Sequence, residues 1–226
     1  MKDFPVFSIV EIDKRIPNFD PRRLVEWQQK GYVLKLRNRF YSFSEQLTNK
    51  HFEVEKTSVW RNSYDIKDDS QNLVRYKAGF IRFVANNIYT PSYISLETAL
   101  SSYGFITDDP FQITSCSTRK TEHITSYIGY CTYRRIKPFL YFGYRLEPWS
   151  GTRYAIAEPE KAIIDYLYLH PAIQGTGDFN ALQWNLPRIK TIISHEKLIR
   201  YESYINSKAL SHRLRIFKTY LYAGTQ

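Results

Sequence analysis

The sequence predicts an α+β fold in two parts, a small head at residues 1–72 and a larger body at residues 73–226. Two short helix patterns and a hairpin pattern fill the first 43 residues, and a polar, acidic stretch follows them. After that stretch, several strand patterns occur together between amphipathic helix patterns, which is typical of α+β proteins. Hydrophobic residues make up 43% of the 226 residues, so the chain can bury a substantial core.

The two N-terminal helices are predicted from the signals at their ends. Ser8 and Glu11 have the spacing of a capping box, in which each side chain accepts a hydrogen bond from the backbone amide of the other residue. Asp20 is a good N-cap for the second helix, and Pro21 then occupies the first helical position. Gly31 supplies the left-handed residue that ends this helix. A tight turn therefore separates two short helices.

Two strands follow the second helix, Tyr32–Leu36 and Arg39–Phe43, and a basic turn joins them. This order is that of a winged helix-turn-helix, in which one helix enters the major groove of DNA and the hairpin contacts the neighbouring backbone. An ordinary antiparallel helix pair is the alternative interpretation. The basic hairpin directly after the helices favours DNA binding.

The candidate DNA-binding residues divide by role. Leu24 and Trp27 lie three residues apart on one helix face and are expected in the core. Arginine and glutamine can make paired hydrogen bonds to base edges, whereas lysine more often contacts phosphate. The candidates for groove contacts are Arg22, Arg23, Gln28, Gln29 and Lys30. The candidates for holding the DNA backbone from the hairpin are Lys35, Arg37 and Arg39.

The net charge of +10 is concentrated at the two ends of the chain. Residues 1–43 carry nine Lys/Arg against five Asp/Glu, and residues 188–226 carry eight against two. The connecting segment 44–72 is acidic on balance, with four against six. Clustered positive charge favours a polyanion as partner, although a merely soluble basic protein is the alternative.

The body is predicted to contain helices and a sheet. Apolar periodicity predicts helices at Leu73–Ala85 and over Leu96–Tyr103, the second ended by Gly104. Strand patterns at 111–117, 124–134, 138–144 and 153–157 predict an antiparallel meander, because no helix separates them. A helix follows at Glu158–Leu169. Two closing helices are capped by Ser194 and Ser207, and the last one exposes a basic face that includes Arg213.

Signals for catalysis are weak. The five histidines show no metal-ligand spacing, and two cysteines are too few for a four-cysteine zinc site, so we expect neither a metal nor a cofactor. Cys116 lies in a strand pattern and is best explained as a buried thiol. The run Glu158-Pro-Glu-Lys161 invites comparison with a nuclease site, but capping of the helix explains its acids equally well. A nucleic-acid-processing enzyme such as a nuclease is the alternative to a non-enzymatic binding protein.

Four segments resemble the AbiEi family of antitoxins from type IV toxin–antitoxin, or abortive-infection, modules. They are Leu24–Gly31, Tyr89–Leu100, Ile113–Thr121 and Ala157–Leu169. The resemblance implies a winged-helix head that binds repeats in double-stranded DNA of the operon's own promoter and represses it. It also implies a C-terminal domain that opposes a nucleotidyltransferase toxin, without requiring a stable complex with that toxin.

The resemblance also directs attention to one polar strand end in the body. Its residues are the candidates for the antitoxic surface: Ser115, Ser117, Thr118, Arg119 and Lys120. Met1–Val10 lacks the apolar core of a signal peptide, and no run approaches the ~20 apolar residues that span a bilayer. We therefore expect a cytoplasmic protein with no membrane partner.

Overall fold

The structure is a computed structural model that describes residues 5–44 and 69–222. Most of the predicted polar connector at 44–72, namely residues 45–68, therefore lies outside the described residues. The predicted boundary between head and body, after residue 72, falls inside a helix that begins at Asp69.

The described residues form helices and strands in mixed order. The helices are α1 (Ile9–Arg15), α2 (Arg22–Gln29), α3 (Asp69–Ile88), α4 (Leu96–Ser102), α5 (Pro159–Leu169), α6 (Thr176–Ala181), α7 (Leu186–Ile192), α8 (His195–Ser203) and α9 (Lys208–Tyr222). The strands are β1 (Phe7–Ser8), β2 (Val33–Arg37), β3 (Phe40–Phe43), β4 (Ser92–Ile94), β5 (Ile113–Ser117), β6 (Glu122–Ser126), β7 (Gly129–Arg135), β8 (Tyr144–Trp149) and β9 (Thr152–Ala157). The predicted α+β class is confirmed at this level.

The N-terminal signals act largely as the sequence predicts. The Ser8 amide donates to Glu11 and the Glu11 amide to the Ser8 hydroxyl, which completes the capping box. Helix α2 begins at Arg22, one residue later than predicted, and the Asp20 carboxylate accepts from the Arg22 amide at 3.0 Å. Gly31 has the left-handed conformation, with φ of 72°. The hairpin turn lies one residue later than predicted, with Arg39 at a φ of 70°.

The small sheet, in the order β1-β3-β2, is covered on both faces. Val33 and Tyr41 belong to a core that also contains Leu24 of α2 and Ile12 of α1. Leu36, on the opposite face of β2, is only 2% exposed and belongs to the large core of the body. The small sheet therefore lies between the two N-terminal helices and the body. The helix–helix–hairpin order agrees with the predicted winged helix, and that identification stays a prediction.

The large sheet is mixed, and the predicted antiparallel meander is wrong. Its strand order is β6-β7-β5-β4-β9-β8, with parallel pairs β5/β7 and β4/β9. The chain leaves β5, forms the edge strand β6, and returns so that β7 inserts between them. Strand β4, from well before the strand-rich region, joins the centre. Strand patterns specify which residues are extended, but they do not specify which strands pair.

Two further predicted strands also differ from the structure: one is divided into two strands, and the other begins with a helical turn. The predicted strand at 124–134 is a hairpin of β6 and β7, in which Ser126 pairs with Gly129 across a two-residue loop. Gly129 has a φ of 107°, a conformation that other residues adopt rarely. The segment predicted as a strand at 138–144 begins with a short 3₁₀ helix, Pro138–Leu140.

Helices cover both faces of the large sheet. On one face, the Tyr133 hydroxyl of β7 donates to the carbonyl of Ala85 in α3. On the other face, the Tyr93 hydroxyl of β4 donates to Asp165 of α5, and Thr114 of β5 contacts Thr98 of α4. Helices α8 and α9 pack against α5, and α6 packs against α9. The main core therefore has three layers, with α3 on one side and α4 and α5 on the other.

The predicted helices of the body are confirmed, with one correction. Ser194 and Ser207 accept backbone hydrogen bonds at the starts of α8 and α9, and the predicted apolar face of α9 is buried. Arg213 was predicted on the exposed face, yet it is buried and its Nε donates to the Leu167 carbonyl at 2.9 Å. No helix within 5–44 and 69–222 combines the length and the hydropathy needed to cross a membrane.

The contact between Gly79 of α3 and Trp149 of β8 gives a test of this packing. A Cβ added at Gly79 would overlap Cδ1 of the Trp149 ring. We expect Gly79→Ala to lower the free energy of unfolding by about 1–3 kcal/mol, because overpacking outweighs the ~1 kcal/mol gain in helix propensity. Thermal or urea denaturation measures the change. Gly177→Ala is the matched control, since its Cβ would meet no atom within 4 Å, and equal stability of the two variants would contradict the packing.

Candidate nucleic-acid interface

One face of α2 anchors the helix and the other is free. Leu24 is 1% exposed, and Trp27 packs on Phe19 with ring centroids 5.6 Å apart. Because side chains three or four residues apart share a helix face, these contacts turn the intervening positions outward. The outward-facing predicted residues are Arg22, Arg23, Gln29 and Lys30, and all four are exposed. Helix α2 and its C-cap Lys30 therefore present three cations and one amide to solvent, with the exposed carboxylate of Glu26 on the same face.

Two members of the predicted α2 set have internal partners. The Gln28 side chain is half-buried and donates to the Leu24 carbonyl at 3.0 Å. The Arg22 Nε lies 3.2 Å from each oxygen of Asp20. The backbone amide and then the side chain of Arg22 hold the pKa of Asp20 below its usual value. The Arg22 side chain is nevertheless 90% exposed, so its pairing with Asp20 is open to exchange with another anion.

The three predicted cations of the hairpin differ in their surroundings. Lys35 and Arg39 are exposed. Arg37 is half-buried, its Nη1 donates to the carbonyl of Ile88 at the end of α3, and its guanidinium lies 5.4 Å from the centroid of the Tyr89 ring. Arg37 thus links the hairpin to the body. DNA binding by these eight residues stays a prediction, and Arg37 has a structural contact in addition.

Tyr89 joins the hairpin to the predicted antitoxic strand end. Its ring packs on Tyr133 at 4.6 Å, and its hydroxyl donates to the Lys120 carbonyl. The Arg119 guanidinium lies 4.5 Å from the same ring centroid, and its Nη1 donates to the Thr90 carbonyl at 3.0 Å. The structure therefore brings a predicted DNA contact, Arg37, and a predicted antitoxic residue, Arg119, to one buried tyrosine.

The predicted antitoxic set is divided between interior and surface. Ser115 and Ser117 lie in the central strand β5 with no exposed area, so neither belongs to a surface. The Ser117 hydroxyl donates to the Pro91 carbonyl and accepts from the Arg119 amide. Thr118 is half-buried, while Arg119 and Lys120 are exposed. The sequence pattern suggested a polar surface, but these serine hydroxyls are short enough to be buried beneath α3.

A buried polar centre between β4 and α5 is not among the predicted sites. The Lys161 Nζ forms an ion pair with Asp165, and both side chains have no exposed area. Lys161 also donates to the Tyr93 hydroxyl at 2.8 Å, and the hydroxyls of Tyr93 and Ser95 each donate to Asp165 Oδ2 at 2.8 Å. The only sequence signal is a lysine and an aspartate four residues apart on a helix whose intervening residues are apolar.

Burial controls the protonation of the groups around this centre. Burial, followed by the negative charge of Asp165, raises the pKa of Tyr93 well above its usual value. Burial likewise raises the pKa of Cys116, so this thiol stays protonated at neutral pH. The predicted buried thiol is confirmed, and the thiolate needed for nucleophilic attack is disfavoured.

The acids that suggested a nuclease make structural contacts. Glu158 forms an ion pair with Lys197 at 3.2 Å and accepts from the Tyr201 hydroxyl. Glu160 is 2% exposed and accepts from the Ser194 amide at 2.6 Å. These bonds fix the start of α5 against the start of α8. Among the described residues, no group of three or more histidine, cysteine, aspartate or glutamate side chains is arranged to hold a metal ion.

The buried ion pair gives a stability test. Lys161→Met leaves Asp165 charged and without its cation in the core, so we expect a loss of about 3–5 kcal/mol in the free energy of unfolding. The double variant Lys161→Met/Asp165→Leu removes both charges, and we expect it to be more stable than the single variant. Urea denaturation of the cycle measures the coupling. An ion pair in the core would be contradicted if the double variant lost as much unfolding free energy as the two single variants added together.

Comparison of the sequence with protein-family models and with curated proteins gave no match. The resemblance to the AbiEi antitoxins therefore rests on the four quoted segments. The geometry adds an exposed cationic helix on a small head that is packed against a larger mixed α/β body.

Proposed function

We propose that this protein is an antitoxin and transcriptional autorepressor of a type IV toxin–antitoxin module, and that its N-terminal winged helix binds repeats in its own promoter. The observation that carries the proposal is the exposed cationic face of α2, with Arg22, Arg23 and Lys30 turned away from the small core. Such a helix can enter a major groove because nothing else in the described residues covers its outer face.

The position of the hairpin supports a particular mode of binding. Lys35 lies opposite Tyr41, on the sheet face that packs against α1 and α2, and is exposed. Arg39 is exposed at the hairpin turn. Helix α2 supplies the base contacts in this mode, whereas these two side chains contact phosphates. Arg37 holds the hairpin against the body through the Ile88 carbonyl and the Tyr89 ring.

A gel-shift or anisotropy titration with the gene's own upstream DNA tests the DNA-binding proposal. We expect Arg23→Ala to weaken binding to the specific sequence by about 1–3 kcal/mol, because arginine in the groove pairs with guanine. Arg153→Ala, which removes an exposed arginine from β9, is the matched control and should bind like the parent chain. Binding should weaken steeply with added salt.

Two outcomes would count against this assignment. One is equal affinity of Arg23→Ala and the parent chain for the upstream DNA. The other is a loss of affinity in Arg153→Ala that matches the loss in Arg23→Ala. The first result would remove Arg23 from the DNA contact. The second would show that the loss of affinity is not specific to α2.

We further propose that the body opposes a nucleotidyltransferase toxin through the strand end that contains Arg119 and Lys120. Lys120 pairs with Glu122 at 3.3 Å, and its side chain is 78% exposed, so it can be changed with little effect on packing. We expect Lys120→Glu to reduce rescue of growth when the chain is co-expressed with the product of the adjacent gene. Growth rate after toxin induction is the measurement.

Lys208→Glu is the control for the rescue experiment. Lys208 is an exposed lysine at the start of α9, on a part of the body remote in sequence from the strand end. The Lys208→Glu variant should leave rescue of growth unchanged. Full rescue by Lys120→Glu and by Arg119→Glu alike would remove this strand end from the antitoxic surface.

A further inference from the structure

The body contains an arginine-lined cleft that the proposed DNA contacts do not include. Its volume is about 480 Å³. Arg75 and Arg82 line it from α3, Ser102 from the end of α4, and Arg145 and Trp149 from β8. A cleft of this size belongs to the range that small ligands occupy.

Arg82 is held in a fixed orientation with donors to spare. Its Nη2 donates to the Ser102 hydroxyl at 2.7 Å, and that hydroxyl donates to the Thr98 carbonyl at 2.6 Å. The Arg82 Nε is buried and has no hydrogen-bond partner among the described residues. A guanidinium carries five N–H donors in a rigid fork, and a buried donor without an acceptor is costly. Ser102 accepts from one of these N–H groups, so the Nη atoms of Arg82 keep further donors for an anion in the cleft.

The charges in the cleft do not balance. Arg145 forms an ion pair with Glu147 at 2.9 Å. Among the side chains of 5–44 and 74–222, no carboxylate pairs with Arg75 or Arg82. The cleft therefore carries excess positive charge beside apolar walls, where the attraction for an anion is stronger than on an open surface.

We propose that this cleft binds the phosphoryl group of a small organic phosphate. Guanidinium forks match phosphate oxygens in pairs, and Arg82 is fixed in advance by Ser102. The half-buried ring of Tyr76 and the indole of Trp149 provide an apolar wall for the organic part of the ligand. This ligand goes beyond the proposed repressor function, since the cleft uses no residue of α2 or of the hairpin.

Calorimetric titration of the full chain with ribose 5-phosphate at 150 mM NaCl tests the proposal. We expect saturable binding of one equivalent. We expect both Arg82→Gln and the exposed-site variant Arg75→Gln to weaken that binding at least about tenfold, because each loses a charge-assisted contact. Ribose should not bind, and inorganic phosphate in place of the ester distinguishes recognition of the phosphoryl group alone from recognition of the whole ester. Circular dichroism establishes that the variants fold.

Arg200→Gln removes an exposed arginine of α8 and is the matched control. It should bind like the parent chain. The proposal is overturned if neither phosphate nor its ester binds at millimolar concentration. It is also overturned if Arg75→Gln binds like the parent chain while Arg23→Ala does not, because the anion would then occupy α2. Since Arg75 and Arg82 are not proposed DNA contacts, the promoter gel shift fails or succeeds independently of this result.

Discussion

The small three-stranded sheet is packed on both of its faces, and this constraint decides which cations of the head are free. Successive residues of β2, Val33 and Leu34, contact different cores. Because α1 and α2 cover one side of the sheet and the body covers the other, the exposed cations of the head lie on α2 and along the outer strand and turn of the hairpin, where Lys35 and Arg39 are. Helix α2 with its C-cap presents three of these cations, and the hairpin presents two.

The same constraint gives the junction between head and body a specific structure. The hairpin end meets the end of α3, where Arg37 donates to the Ile88 carbonyl and lies over Tyr89. Arg119 from the strand end of β5 contacts the same ring. Each of the two cations is attracted to the aromatic ring, but the cations repel each other. A change in the position of one therefore alters the environment of the other. The proposed DNA-binding face and the proposed antitoxic strand end are thus linked through Tyr89.

Sequence reasoning succeeded where the signal is local and failed where it depends on distant partners. The capping box of Ser8 and Glu11, the stop at Gly31 and the apolar face of α9 need only neighbouring residues, and each is confirmed. The strand order could not be predicted, because β4 joins β5 and β9 from positions far along the chain. The arginine cleft could not be predicted for the same reason. Its members come from α3 and β8, which are about 70 residues apart in sequence.

Helix α5 has a polar start, Glu158-Pro-Glu-Lys161, although it lies in the middle of the body. The buried polar centre explains how these polar residues can be accommodated there. An unpaired lysine could not be buried there, but Asp165 one turn later neutralises it, and Tyr93 and Ser95 satisfy the remaining polar atoms. Glu158 and Glu160 then bind α8. Polar residues that suggest chemistry in the sequence are here the contacts that fix α5 between the sheet and the closing helices. The exposed cations of α2 and the arginine cleft are therefore the better places to look for ligands.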